Sequence, residues 1–415
     1  MIERVFSPPV AEALDCIFYH MREGRGQEGF QLLEREAAAG DADAKCLLAR
    51  CLNGPSYVWA EHHFPEDEAR ATELMRQAAQ EGSALAVLLC LRSGELTPSV
   101  KKNMPFESLR AAFDRVVEMA GSGDAFCQYT VGNVYFWWDF PKIDGKRPGD
   151  FPNHEAYRDY LRENASKAED WFWKALRGGV FFAAYNLRKL YEEGDEDLIP
   201  PRPEKVAEVW KAGAEAGLPP CQEVYGQRLL EGGGTAGLKW LEQAAEGGEA
   251  YSWYLLGRAY EFSKGVEHDQ ARAVAYYERG VARGSVSCMV MLAQDLYLGA
   301  GVERDYGRAY QLFAQAYQSP AGVGNWVLEY LGHCFFGGLG TQQNYDLARQ
   351  FLERVEKPQT QTYYELGCIY GQGLGVEADI PRAVALLQKA GDYQPAREEL
   401  LHYKKTLFGK WVRRN

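Results

Sequence analysis

The stretch "GAGVERDYGRAY", Gly299 to Tyr310, holds close glycines, a glutamate and an aspartate. A phosphate-cradling loop uses glycines of this kind, and a calcium loop uses carboxylates of this kind. Its copies decide the reading. "GVEHDQARA" begins at Gly265, "GVERDYGRA" at Gly301, "GTQQNYDLA" at Gly340 and "GVEADIPRA" at Gly375, at steps of 36, 39 and 35 residues. Each copy carries Asp or Asn four residues before an Ala: Asp269 and Ala273, Asp305 and Ala309, Asn344 and Ala348, Asp379 and Ala383. Each copy offers one such Asp or Asn and at most one Glu, so no set of oxygens converges on a metal. The phosphate-loop Lys and its strand-to-helix setting are missing too.

Two helices frame the loop. Large apolar pairs follow each Ala at the third and fourth positions: Tyr276 and Tyr277, Leu312 and Phe313, Phe351 and Leu352, Leu386 and Leu387. Gly280, Ala316, Val355 and Ala390 follow at the seventh, which completes one face of an amphipathic helix B. Sixteen residues before each Ala stands a small residue, Gly257, Ala293, Gly332 or Gly367, inside a second pattern, helix A. The loop is then a helix stop followed by a helix start. Glycine relieves the turn, and Asp or Asn caps helix B by accepting backbone N–H bonds. A cap Asp→Ala change is expected to cost about 1 kcal/mol and to spare binding.

Upstream, the small slot of helix A falls at Ala49, Leu91, Gly132, Arg188 and Gly226. The Ala slot of helix B falls at Ala71, Ala112, Ala168, Val206 and Gly237. Many B helices end in a glycine eleven residues later, the usual left-handed cap: Gly82, Gly123, Gly179, Gly217, Gly248 and Gly284. This predicts nine A/B pairs over residues 41–392, an all-α array. A degenerate helix pair precedes it in 1–40, and a lone capping helix with a basic tail follows in 393–415.

The repeated pattern resembles the Sel-one-like repeat, a relative of the tetratricopeptide repeat. "LGCIYGQGLGVEADIPRAVALLQKAGD", Leu366 to Asp392, is a near-consensus copy. The copies before Ala250 depart in loop length and in the Gly-Val-Asp element. The resemblance implies a right-handed superhelical solenoid of antiparallel helix pairs with A helices lining a concave face. It also implies scaffold or adaptor work on proteins or peptides, and no reaction. Some secreted members pair cysteines within each repeat, a pattern this chain lacks.

Composition narrows the function classes. Forty-six Lys and Arg stand against 58 Asp and Glu in 415 residues, a net charge of −12, which opposes nucleic-acid binding. The nine cysteines are scattered, odd in number and without a Cys-x-x-Cys, as expected of free thiols in a reducing compartment. No apolar run is long enough to span a membrane, and the expected location is cytoplasmic. His62 and His63 are adjacent, a poor geometry for one ion. No cofactor, metal or catalytic set is expected, and a monomer is favoured.

The candidate binding residues lie on the A helices. On the tetratricopeptide-like frame, the sixth and third residues before the small slot, and the first and fourth after it, lean inward. The first position offers Phe126, Phe182, Tyr251 and Trp326. The second offers Tyr129, Tyr185 and Tyr254, and the third Asn133, Lys189, Arg258, Gln294 and His333. Rings supply area and polar groups fix register for a peptide. The competing reading is that these rings only pack between repeats. The third pair carries an insertion over 137–163, whose Trp137, Trp138, Phe140 and Phe151 either touch a partner or pack internally. From Asn153 a helix B about three turns longer than its neighbours is expected. The tail residues Lys404, Lys405, Lys410, Arg413 and Arg414 read either as a solvated cap or as a handle for an acidic partner. Two other functions stay open: an enzyme or small-molecule binder with a pocket in the irregular N-terminal pairs, and a self-assembling structural protein.

Overall fold

The computed structural model describes residues 5–19, 21, 24–195, 198–263, 266–319 and 324–414. Gly265, the first residue of one loop copy, lies outside them. The chain is an all-α solenoid whose described residues form nine A/B helix pairs, from Ala42–Leu52 with Glu68–Glu81 to Thr360–Gln372 with Ile380–Lys389. In most of these pairs the A and B helices pack directly on each other. The chain divides into two compact units, Met1–Ser252 and Trp253–Asn415.

The second unit shows why the spacing is what it is. Asp269, Asp305, Asn344 and Asp379 each accept from the backbone N–H three residues on, at 2.9, 2.9, 3.0 and 3.0 Å. These are helix N-caps. The loop glycines do two things. Gly301 and Gly340 have φ of +66° and +71°, and a Cβ there would sit 2.7 Å from the Gln270 backbone and 2.0 Å from the Tyr306 carbonyl oxygen. Each loop is therefore pressed onto the start of the preceding B helix, where only glycine fits. The small slot of helix A receives the large residue four after the Ala slot. A Cβ on Gly257 would lie 2.2 Å from the Tyr277 ring, and one on Gly332 would lie 2.4 Å from Leu352.

The tail corrects the expected lone helix. The helix Gln394–Leu400 stops well before Phe408, and Tyr403–Lys405 pairs antiparallel with Trp411–Arg413. Gly409, at φ +80°, allows the tight turn between them. Buried Tyr403 donates to Glu399 Oε1 at 3.0 Å, and Trp411 packs on the last B helix, which ties the hairpin down. Leu407 and Phe408 stand fully exposed at its tip.

The first unit has the same pairs with longer connections. Its N-terminal residues form a helix, Pro8–Leu14, a π-helical turn, Asp15–Tyr19, and a helix, Arg25–Ala38. The π turn reaches across the array: Tyr19 donates to Asp124 Oδ2 at 2.7 Å, and Phe18 packs on Phe126 with ring centroids 5.0 Å apart. The long third B helix starts where expected, with Asn153 accepting from Ala156 N at 2.8 Å, but it is interrupted. It runs His154–Ala165 and then Lys167–Arg177, with Ser166 Oγ donating to the Glu163 carbonyl at 2.7 Å at the break. Within the insertion, Phe140, Phe151, Tyr157 and Tyr160 pack their rings together at edge-on and tilted angles, and Trp138 Nε1 donates to Asp195 Oδ2 at 2.8 Å. Trp137 alone of its four singled-out aromatics is left half exposed.

Candidate functional site

The five helix pairs of the first unit curve until their ends meet. Trp59, in the loop after the first A helix, donates its Nε1 to Glu249 Oε1 at 2.7 Å, across 190 residues of chain. A half-open cavity of about 680 Å³ lies between this contact, the loop 55–61 and the inner faces of the A helices Ala84–Ser93, Ala125–Phe136 and Phe182–Glu193. That volume lies in the range of small-ligand and peptide sites.

One wall holds Arg50, in the last turn of the first A helix. Its position is the first after the small slot at Ala49, so the helix turns it inward. It is only 6% exposed. Its guanidinium lies 5.4 to 6.0 Å from the ring centroids of Phe18, Tyr57, Phe126, Tyr129 and Phe182. Its Nε has no hydrogen-bond partner. Buried arginines are usually paired with carboxylates. Arg92, on the same cavity, follows that rule: its Nε and Nη2 donate to the buried Asp139 Oδ2 at 2.9 and 2.7 Å. Among the described residues Arg50 has rings around it and no carboxylate.

Beside Arg50, two neighbouring A helices are joined by an amide pair. Asn186 Nδ2 donates to Asn133 Oδ1 at 2.8 Å. Tyr129, Phe182, Tyr185 and Trp137 surround this pair on the cavity lining. Lys189 holds its ammonium 4.8 Å from the Trp137 ring centroid.

The cavity also carries acid. Glu61 and Glu249 line it, and Glu223 stands behind them, accepting from Ser252 Oγ at 2.8 Å. Burial first, and then repulsion from Glu223, pushes the Glu249 carboxyl up to about 8, against the bond from Trp59 that favours its charged form. Burial, with repulsion from Glu61, pushes Glu223 up to about 7. Glu61 faces His63 Nε2 at 3.8 Å.

The structure gathers Tyr129, Asn133, Trp137, Phe182 and Tyr185 of the candidate residues into one lining, with Lys189 over Trp137. Phe126 is fully buried beneath Arg50 and forms its floor. Tyr251, Tyr254, Arg258, Gln294, Trp326 and His333 lie off this lining. Arg258 Nη1 donates to the Tyr254 hydroxyl at 2.7 Å, Trp326 packs edge-on to Tyr330, and buried His333 meets Glu365 Oε2 at 2.7 Å. His62 is a core residue, bonded to the Ile17 carbonyl oxygen at 3.0 Å and stacked on Phe64. All nine cysteines are free and buried. Cys221 and Cys288 each press on a B-helix glycine, Gly213 and Gly280. Among the described residues no group of three or more His, Cys, Asp or Glu could hold a metal, and no helix is long and apolar enough to cross a membrane.

Sequence reasoning missed Arg50, Trp59 and Glu249. Arg50 had a signal, because the rule that marked Asn133 and Lys189 also marks the residue after Ala49. Trp59 and Glu249 had none, since their meeting depends on the curvature summed over five pairs.

Comparison with known proteins agrees with the repeat. The Sel1 repeat model matches residues 62–83, 225–249, 250–285, 286–319, 328–354 and 360–392. An uncharacterised Sel1-like repeat-containing protein of Schizosaccharomyces pombe is 33% identical over 100 residues, 24% of this chain. The match covers only 14% of that relative's length. Among solved structures, a Sel1 repeat protein from Oxalobacter formigenes is 18% identical with a TM-score of 0.45, over 97% of this chain and 96% of its own. A protective antigen of uropathogenic Escherichia coli displaying an SLR fold is 17% identical with a TM-score of 0.40, over 89% of each chain.

Proposed function

We propose that this chain, a protein of Sel1 repeats, is a non-catalytic scaffold that binds a peptide segment in the inner cavity of its first unit. One observation carries the reading: Arg50 is buried in a ring-lined cavity with no anionic partner among the described residues. A folded chain gains little by keeping such a charge unpaired, and a bound group would supply the missing contact. Tyr129, Phe182, Tyr185 and Trp137 supply apolar area, and Asn133 and Asn186 supply fixed polar groups for register. In this reading the contribution of the 137–163 insertion to binding narrows to Trp137. The candidates Tyr251, Tyr254, Arg258, Gln294, Trp326 and His333 are not needed for it.

The test is selection of displayed peptides on the full chain, followed by variants. Trp137→Ala and Tyr185→Ala remove exposed rings, so the fold should persist while binding weakens about tenfold each, as for truncated interface aromatics. Trp326→Ala should leave binding unchanged. Equal loss from Trp326→Ala, or no loss from the first two, overturns the site. A second reading keeps the cavity and fills it with a small molecule. The closure by Trp59 and Glu249 favours it, and the probes described below separate the two.

A further inference from the structure

We propose that the occupant of this cavity presents a single carboxylate, seated in the plane of the Arg50 guanidinium. The proposal rests on the binding reading above and names the chemistry of the contact.

The rings around Arg50 answer its charge but not its hydrogen-bond donors. The centroids of Phe18, Tyr57, Phe126, Tyr129 and Phe182 lie 5.4 to 6.0 Å from the guanidinium, the outer part of the range in which a ring attracts a cation. The N–H groups lie in the guanidinium plane and need oxygens. The side chain is 6% exposed, its Nε has no partner, and no carboxylate faces it among the described residues. An occupant that fills the half-open cavity drives water away from this cation. It must then bring an acceptor of its own or bear the cost of a stranded charge. A carboxylate fits, because its two oxygens match the guanidinium fork, and the rings keep water from competing for that contact. The count of charges favours one carboxylate over a dianion. Arg50 and Arg92 are the cations on the lining, and the Nε and Nη2 of Arg92 are already held by Asp139 Oδ2 at 2.9 and 2.7 Å. Lys189 stands off the lining, over Trp137. A phosphate dianion would bring a second negative charge that no cation on the lining answers. The acids of the cavity leave room for one anion. Glu249 and Glu223 hold protons near neutral pH, since burial pushes them up to about 8 and about 7, and Glu61 faces His63 Nε2 at 3.8 Å.

A carboxylate can arrive as a free C-terminus, as the Asp or Glu side chain of a segment, or on a small organic acid. Matched probes separate these sources, read by retention on the full chain and by tryptophan fluorescence. The peptide probes are pools of random pentapeptides with acetylated N-termini. The first pool has no Asp or Glu and a free C-terminal carboxylate. The second is its C-terminal amide. The third is an amide pool with Glu fixed at the centre, and the fourth has Gln in its place. Benzoate, its neutral counterpart benzamide, and phenyl phosphate are the small probes.

The first pool should be retained about tenfold better than the second, or the third about tenfold better than the fourth, the effect of one charge-assisted pair. That preference should vanish in Arg50→Gln, whose melting temperature shows that it is folded. It should shrink in Arg50→Lys, which keeps the charge, loses the fork and carries the same test if the Gln variant does not fold. Trp137→Ala should weaken every retained pool and leave the preference of acid over amide, so the groove and the carboxylate contact are read apart. Equal retention of acids and their amides overturns the carboxylate proposal and leaves the peptide reading standing. Phenyl phosphate bound more tightly than benzoate, or a preference that survives in folded Arg50→Gln, overturns it as well. Benzoate bound over benzamide, with no peptide pool retained, keeps the carboxylate and overturns the peptide. Retention of no probe overturns both.

Discussion

In the second unit the glycines, caps and large apolar residues of the repeat meet the partners that their spacing implies. Gly332 receives Leu352, Gly340 lies on the Tyr306 carbonyl, and Asp305 caps the next helix. In the first unit the same pairs are joined by the loop 53–67, by the insertion over 137–163 and by a π turn that crosses the array. There a guanidinium stands unpaired, and two carboxyls hold protons near neutral pH. In the regular copies the slots of the repeat answer neighbouring slots, and the surplus is small: Asp295 is buried with one oxygen unpartnered and its carboxyl pushed up to about 7 by burial and by repulsion from Glu261. Irregular copies leave residues with no repeat-given job, and it is these that line the cavity.

The largest contrast should appear at glycines of positive φ. Gly340→Ala forces a Cβ onto the Tyr306 carbonyl oxygen and strains the backbone, an expected loss of about 3 kcal/mol in urea denaturation. Gly145→Ala, in the insertion, has φ +65° and nothing within 4 Å of its Cβ. It should cost about 1 kcal/mol. Equal losses would mean that the loops of the second unit are not pressed onto the preceding helices.

Next comes Arg92→Met, which strands the carboxylate of Asp139 in a buried place. An unpaired buried acceptor of this kind costs about 2 kcal/mol. Arg92→Met/Asp139→Leu together should recover most of it, as measured by a double-mutant cycle. No recovery would mean that the pair matters for something other than charge.

The register of the array was legible because it is local. Asp305 caps, Gly284 stops a helix, and Tyr277 fills the Gly257 slot, all within one repeat and its neighbour. The site was half legible. Tyr129 and Asn133 lie on one face of their A helix, Tyr185 lies at the matching position of the next, and all three could be read from a period of 3.6. The carboxyl of Glu249 reaches Trp59 only because five pairs add up their small rotations, and no residue pattern encodes that sum. The tail misled for a different reason. "EELLHYKKTLF" has helical spacing, yet Gly409 and the packing of Trp411 on the last B helix turn it back as a hairpin.

A smaller effect should follow pH. Glu249 and Glu223 sit at about 8 and about 7 in the folded chain, against an ordinary value of 4.5. The folded chain therefore binds protons that the unfolded chain has already released between pH 4.5 and 8. Stability from these two groups is complete below pH 4.5 and is lost as pH rises through 7 and 8. The groups facing Glu249 are the carboxylates of Glu61 and Glu223 and the Trp59 indole, so nothing there reverses the sign. Thermal melts followed by tryptophan fluorescence should fall from pH 5 to pH 8.5, and Glu249→Gln should flatten the fall. A rise over that interval would refute the buried acid wall.

The smallest stability change is expected where the comparison matters most, at Arg50→Met. Removing the guanidinium forfeits its attraction to five rings, worth about 1 kcal/mol when partly desolvated. It also removes a buried charge that no carboxylate answers, which returns a similar amount. The methionine fills the space with apolar atoms that suit the cage. The two effects oppose, so the free chain should change by no more than about 0.5 kcal/mol in either direction, well below Arg92→Met. What should vanish is the rise in melting temperature that a carboxylate-bearing ligand gives the wild type, since that rise follows affinity. A loss of 2 kcal/mol or more in the free chain would instead make Arg50 a strut of the core, and the cavity would lose its reason to bind an anion. Residues kept for binding tend to be those whose removal leaves the fold no worse, and Arg50 stands or falls as a binding residue on that measurement.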